Sequence, residues 1–411
     1  MEVSDYLNQP GLDKLIQEAR FIRSSVKKFS DLRDESGLQY VDLVLEAQGI
    51  TFMSLLGYTF ILEEAGLGFF NVAGVSSGAL NAMIVAALGQ QQYKSIYILK
   101  ALNKFSYGRH SSLSSQNRST NFMKKVSQLR NHLFPNQTKT NTLDKEKKRQ
   151  WLTSVFSELG LTSLQELNQA TGQKPNGLKH IFGGNISDLS PRLAIITSDI
   201  TTHTKVELPK MAALYWDAPE NVSPVELILA SMAIPYFHTP YTIDNIPSAG
   251  TQQQHNWIEQ ANFHEQVPQK IRFMDGSMIY QPPFNIFHRT DQVTPRMPTF
   301  GASVAINTSE TDSLNGFTSS LINTTKKDVL SGFLESNPDC KSLMSAIEID
   351  GRTDWLNFNI SDKEKMSLFR EGVKAGLEFL VDFDWQQYKS MRNEGLSHRF
   401  CSPYVNSRVA S

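Results

Sequence analysis

The chain has 411 residues, of which 40% are hydrophobic and 20% charged, an ordinary balance for a globular chain able to bury a large core. Lys and Arg number 40 and Asp and Glu 41, so no global field favours nucleic acid as a partner. The two cysteines, Cys340 and Cys401, are too few for a disulfide framework and fit a reducing compartment.

The opening MEVSDYLNQP has neither a basic n-region nor an apolar h-region, so no secretory signal is expected. Residues 1–39 read as a helical extension, with Leu12, Leu15, Ile16, Ala19, Ile22 and Val26 close to helical spacing. Tyr40 to Leu45 is a β-rich run, Glu46 to Gly49 a turn, and Ile50 to Glu64 a helix stopped at Ala65-Gly66. A second apolar run, Gly68 to Ala73, leads into Gly74-Val-Ser-Ser-Gly78, and Ala79 to Leu88 is a small-residue helix. Strand, helix, strand, helix is the start of a parallel α/β sheet. The most apolar stretch, Gly49 to Leu62, is interrupted by Thr51, Ser54, Gly57 and Thr59 and falls short of the ~20 residues a membrane span needs. Any membrane contact is therefore expected to be peripheral, with the chain in the cytoplasm.

Residues 104–149 are rich in Ser, Asn, Thr, Lys and Arg and poor in acid. They read as an insertion with some helix: either a solvated excursion, or a lid or patch for anionic lipid headgroups. Leu193 to Thr197 is expected as a strand, Pro224 to Ala233 as a helix running into Ile234-Pro-Tyr-Phe237, and Gln252 to Gln266 as a polar loop. Ile271 to Met274 is a strand ending at Asp275-Gly276, and Pro298 to Ile306 another. Asp362 to Asp382 is an amphipathic helix with Ser361 as its N-cap. The chain thus divides into the 1–39 extension, a main domain over 40–382 and a C-terminal tail over 383–411.

Gly74 to Gly78 fits Gly-x-Ser-x-Gly, in which a serine sits on a sharp strand-to-helix turn. Its neighbours two positions away are small so that strand and helix can approach. Ser76 is thereby the candidate nucleophile, and the N–H of Ser77 points into the same space at a helix N-terminus. A serine hydroxyl needs a base. His238 is the best placed of 9 histidines, but no motif marks it. Asp275, at a strand end and followed by Gly276-Ser277, is the better base. A carboxylate there lies on the sheet edge where ligands gather. No His, Cys, Asp or Glu cluster has metal-ligand spacing, so neither metal nor cofactor is implied.

These residues resemble the patatin-like phospholipases over roughly residues 40–382. Gly74 to Gly78 matches the family's serine motif, and Asp275-Gly276-Ser277 its Asp-Gly-Gly or Asp-Gly-Ala. Ala230-Ser-Met-Ala-Ile-Pro235, Leu161-Thr-Ser-Leu-Gln-Glu-Leu167 with Thr171-Gly172, and Thr197-Ser-Asp-Ile-Thr-Thr202 are similar to further family segments in the same order. The resemblance implies a three-layer α/β/α fold with a mostly parallel central sheet. It also implies a Ser76–Asp275 dyad that cleaves acyl esters of glycerophospholipids at a membrane surface. The departure is at the family's glycine-rich oxyanion loop, which falls on Ala47, Gln48, Gly49, Ile50, Thr51 and Phe52. Ala47, Gln48 and Gly49, with Ser77, are the expected oxyanion donors, and only Gly49 keeps its glycine. The altered loop leaves three readings open: a phospholipase A awaiting a protein or small-molecule activator, an esterase on neutral lipids or small esters, or a weakened patatin-fold binding protein. An enzyme that threatens its own membranes is expected to be controlled, as in a bacterial toxin, effector or defence enzyme.

Overall fold

A computed structural model describes residues 2–91, 93–104, 139–234, 240–247, 250–278, 283–288, 294–307, 330–350 and 360–400, with the single positions 320, 324 and 328. Most of the 104–149 insertion, including the lid or headgroup patch read there, lies outside them, as does His238.

After two short helices, α1 (Val3–Leu7) and α2 (Leu12–Ser24), the chain enters a ten-stranded mixed sheet. Strand β1 (Leu32–Arg33) pairs with β2 (Gln39–Ala47), so the N-terminal extension contributes to the sheet. All nine residues of β2 are buried, as expected for a strand with neighbours on both edges and layers on both faces. Helix α3 (Phe52–Glu64), strand β3 (Leu67–Ser76) and helix α4 (Ser77–Ala87) follow in the expected order. The next helices are α5 (Lys94–Lys104), α6 (Lys139–Glu158) and α7 (Leu164–Thr171). Then come β4 (Lys179–His180), β5 (Leu193–Asp199), β6 (Thr204–Leu208), α8 (Pro224–Ser231), β7 (Tyr241–Asp244), α9 (Thr251–Ala261) and β8 (Lys270–Asp275). The chain closes through β9 (Thr299–Asn307), β10 (Met344–Asp350), α10 (Asp362–Asp382) and α11 (Trp385–Phe400).

Hydrogen-bonded neighbours follow the path β10-β9-β2-β3-β5-β8-β7. The first five of these are parallel to one another, β8 is antiparallel to β5, and β7, antiparallel to β8, runs in the direction of the first five. One face, with Val41, Leu43, Leu45, Val72, Leu193 and Ile195, belongs to the main helical core. The other, with Val44, Ala73, Val75, Ala194 and Ile196, forms a separate apolar layer closed by Ile286 and Phe287. The alternation along β2, β3 and β5 puts successive side chains into these two layers. The architecture is α/β, as expected from the sequence.

Helix α3 is buried along its whole length, because α10 lies directly against it. A Cβ on Gly57 would stand 1.9 Å from the Phe369 carbonyl oxygen, and one on Gly372 1.7 Å from that of Ser54. Glycines at these crossing points allow backbone-to-backbone approach. The stretch read as the C-terminal tail contains α11, whose Trp385 and Tyr388 are buried beside Phe383. Trp385 Nε1 donates to Asp31 at 2.8 Å, tying this helix to the start of the chain.

One expectation fails. Gln252 to Gln266 is not a loop throughout, since α9 occupies Thr251–Ala261. Its sequence is polar but made largely of helix-tolerant residues. A single anchor, Trp257, fully buried, packs edge-on against Tyr215 at 5.3 Å and Phe263 at 5.7 Å. One aromatic supplies the packing that a periodic stripe supplies elsewhere.

Candidate active site

Strand β3 ends at Ser76 and α4 begins at Ser77, with no residue between. Such a turn forces Ser76 to φ 55° and ψ −131°, a conformation costly for a residue with a Cβ. Two flanking glycines permit the geometry. A Cβ on Gly74 would lie 2.5 Å from the Gly78 carbonyl oxygen and 2.6 Å from Ala82 Cβ, and one on Gly78 2.4 Å from the Leu45 carbonyl oxygen. The motif therefore packs β3, α4 and β2 together at one point. The Ser76 N–H donates to Ser231 Oγ at 2.9 Å, and that hydroxyl donates to the Ile196 carbonyl at 2.6 Å. Ser231, at the end of α8, thus bridges the strained residue to β5.

Asp275 reaches the same point from the opposite direction. Strand β5 pairs with β6 through 195–199, with β3 through 193–196 and with β8 through 197–199. Because β6 overlaps both of the others, β3 and β8 must share the remaining edge of β5. Strand β3 runs up that edge to Val75, opposite Ile196; β8 runs down it to Asp275, opposite Thr197. The two strands meet head-on, and Ser76 and Asp275 are their facing ends. Proximity therefore arises differently from the expectation: the aspartate lies on an antiparallel strand, not among the C-terminal ends of parallel ones. A Cβ on Gly276 would stand 2.7 Å from the Ile196 carbonyl oxygen, so this residue is small because the junction is tight.

Ser76 Oγ donates a hydrogen bond to Asp275 Oδ2. The other carboxylate oxygen accepts the Ser277 N–H at 2.9 Å, and the Asp275 N–H donates to the Ala233 carbonyl at 3.0 Å. Thr197 Oγ1 lies 3.0 Å from the carbonyls of both Ala230 and Met274, joining β5, α8 and β8. Both members of the pair are buried, Ser76 at 0% and Asp275 at 1% exposure.

The loop after β2 is ordered by its own side chains. Ala47 is the last strand residue, in register with Ser76. Gln48 is extended at φ −117° and carries no strain, whereas Gly49 has φ 51°. The one retained glycine stands where a left-handed residue is required. Thr51 Oγ1 accepts the Gln48 N–H at 3.1 Å and donates to the Gln48 carbonyl at 2.7 Å. The Gln48 N–H, expected to face an oxyanion, is thereby engaged within the loop, while among the described residues those of Gly49 and Ser77 have no such partner.

Sequence reasoning missed several contributors. Ser231 and Thr197 lay in segments noted for resemblance, without an assigned role. Asp199 accepts from the N–H groups of Thr201 at 2.8 Å and Thr202 at 3.1 Å, which fixes the turn after β5. Lys148, on α6, is buried. Burial pushes its ammonium down to about 8, partly opposed by the negative charge of Asp275. The structure also gathers His288, Asp339 and Cys340, whose donor atoms lie within 4.8 Å of one another. His288 lies far in sequence from the adjacent Asp339 and Cys340, so no ligand spacing reveals the group. Arg392 occupies the group, with Nη1 2.9 Å from both His288 Nε2 and Asp339 Oδ2.

The family model described as "Patatin-like phospholipase" matches residues 43–288, more than half of the chain. No curated protein matches. Among solved structures, the crystal structure of VipD from Legionella pneumophila is similar at a TM-score of 0.40 and 15% identity, over 89% of this chain and 74% of that one. The matched stretch runs from β2, through the elbow, to just beyond Asp275. On that match the chain belongs to the patatin-like phospholipases, a family of lipid acyl hydrolases.

Proposed function

We propose that the protein is a serine-dependent hydrolase of the phospholipase A type, with Ser76 as nucleophile and Asp275 as general base. The observation that carries this is the hydrogen bond from the Ser76 hydroxyl to the Asp275 carboxylate at the head-on junction of two strands. In the first half-reaction Ser76 Oγ attacks the acyl carbonyl and its proton passes to Asp275. The N–H groups of Gly49 and Ser77 hold the tetrahedral oxyanion, with the N-terminus of α4 adding positive potential. Collapse expels the glycerol oxygen, which takes the proton from Asp275. Water then gives a proton to Asp275, attacks the acyl-enzyme and releases the fatty acid, and the proton returns to Ser76.

The loop geometry supports a working oxyanion site despite its composition, since its positive-φ position holds glycine and Gln48 is relaxed. Burial of the dyad favours an enzyme that needs an activator, a protein or a small molecule, to open the site. The substrate is met at a phospholipid surface from the cytoplasmic side. Among the described residues no helix is long and apolar enough to cross a membrane.

Fatty-acid release from phospholipid vesicles, with and without cell lysate, tests the reading. Ser76→Ala and Asp275→Asn are each expected to lower turnover by at least about 10³-fold while leaving the unfolding midpoint close to that of the wild type. Full activity in Ser76→Ala sinks the proposal. A serine-reactive fluorophosphonate that fails to label Ser76 with the activator present returns the protein to the non-catalytic members of its fold.

A further inference from the structure

Helix α6 carries a lysine where its spacing calls for an apolar residue. Lys148, Leu152, Val155 and Phe156 form one helical stripe, and all four are buried, Lys148 at 9% exposure. Arg149 is directed elsewhere, to an ion pair with Glu226 on α8. Glu226 also accepts the Tyr241 hydroxyl at 2.5 Å. This pair fixes α6 against α8, the helix whose last residues hold Thr197 and Ser76. Among the described residues no carboxylate comes within 4.0 Å of the Lys148 ammonium. The charge that acts on it is Asp275.

A buried ammonium without a contacting anion is unfavourable, and methionine or leucine would complete the stripe at no such cost. The loop 47–52 and the elbow 74–78 contain no basic residue. Neither segment can supply a positive partner to an anionic ligand at this site. We propose that Lys148 receives the phosphate of a glycerophospholipid bound at the Ser76–Asp275 pair, and so determines specificity for phosphate-bearing over neutral acyl esters. This rests on the reading of Ser76 and Asp275 as the reacting groups. Before substrate arrives, Asp275 provides the nearby negative charge; with substrate in place, the phosphodiester provides direct contact. Lysine suits the role because its ammonium is a compact point charge on a long stem.

The test compares two substrates with identical acyl chains, dihexanoylphosphatidylglycerol and dihexanoylglycerol, both used as monomers. Lys148→Met is expected to lower kcat/KM on the phosphatidylglycerol by about 10- to 100-fold, mainly through KM. It should change dihexanoylglycerol turnover by less than about threefold, and Lys148→Arg should recover part of the loss. Equal losses on both substrates overturn the proposal, because Lys148 would then act only through Asp275 or the fold; so does an unchanged KM for the phosphatidylglycerol. Calorimetric binding of dihexanoylphosphatidylglycerol to full-length Ser76→Ala, with and without Lys148→Met, decides the matter independently of turnover. With cell lysate present as the source of activator, a wild type that cleaves neither ester fails the catalytic reading alone, while equal binding by the two variants fails the Lys148 proposal alone. Glycerol 3-phosphate is the control for source. Binding as tight as the lipid's, and equally sensitive to Lys148→Met, would assign the cation to a soluble phosphate ester and overturn the lipid assignment.

Discussion

Ser231→Ala isolates what holds the elbow. The substitution removes one oxygen and with it both ends of the bridge, the bond from the Ser76 N–H at 2.9 Å and the bond to Ile196 at 2.6 Å. Ser76 is fully buried, so water does not replace the lost acceptor. An orphaned buried donor costs about 1–3 kcal/mol. Ser76 also sits at φ 55°, a conformation worth about 1–3 kcal/mol of strain that the surrounding bonds must hold. A loss of about 2 kcal/mol in unfolding free energy is expected, read as a lower urea midpoint at unchanged slope. Fluorophosphonate labelling of Ser76 should slow by at least about tenfold, since the hydroxyl is no longer aimed. Ser76→Gly tolerates the positive φ, so in that background Ser231→Ala should destabilise by clearly less, a coupling that a double-mutant cycle measures. A Ser231→Ala protein with a midpoint within about 0.5 kcal/mol of wild type and undiminished labelling would refute the idea that this hydroxyl secures the elbow.

Gly78→Ala places a Cβ 2.4 Å from the Leu45 carbonyl oxygen. It is expected to cost about 2–3 kcal/mol and to abolish labelling at Ser76, both checked on the purified variant. Asp42 is buried, and desolvation raises its carboxyl to about 7 although Asn71 donates to it from both backbone and side chain. A raised carboxyl pKa means that its contribution to stability is full below about 3.8 and is lost as pH rises through about 7. Asp42→Asn keeps an acceptor for Asn71 without the charge. It should therefore flatten the melting temperature across that window and stabilise the protein at pH 8 by an amount on the order of 3 kcal/mol. An unchanged pH profile would show that Asp42 is not the titrating group.

The candidate nucleophile and base were legible because each sits in a local pattern that the backbone demands. The Ser76 turn needs small residues at Gly74 and Gly78, and the strand junction needs one at Gly276, so those steric constraints are written in the sequence. The oxyanion loop was legible only in part. Its retained Gly49 marks the positive-φ position, but the compensation by Thr51 is a side-chain bond to its own loop that composition does not show. Ser231 and Lys148 were not legible as site residues. Each lies on a helix whose docking brings it to the pair, and docking depends on distant partners such as Glu226. The antiparallel direction of β8 was hidden too, since a short apolar strand reads the same either way.

The sheet order bears on how the family's homologous core relates to a foldable unit. The matched stretch ends at residue 288, yet β9 and β10 come later in the chain and lie beyond β2 in the sheet. A polypeptide trimmed to that stretch would expose β2, buried at every position, as a bare hydrogen-bonding margin open to another molecule's strand. It would also uncover α3, because the glycine contacts with Ser54 and Phe369 belong to a helix some eighty residues downstream. The smallest soluble fragment that could keep the elbow in shape must therefore retain α10, so catalytic motifs and folding boundaries do not coincide in this chain.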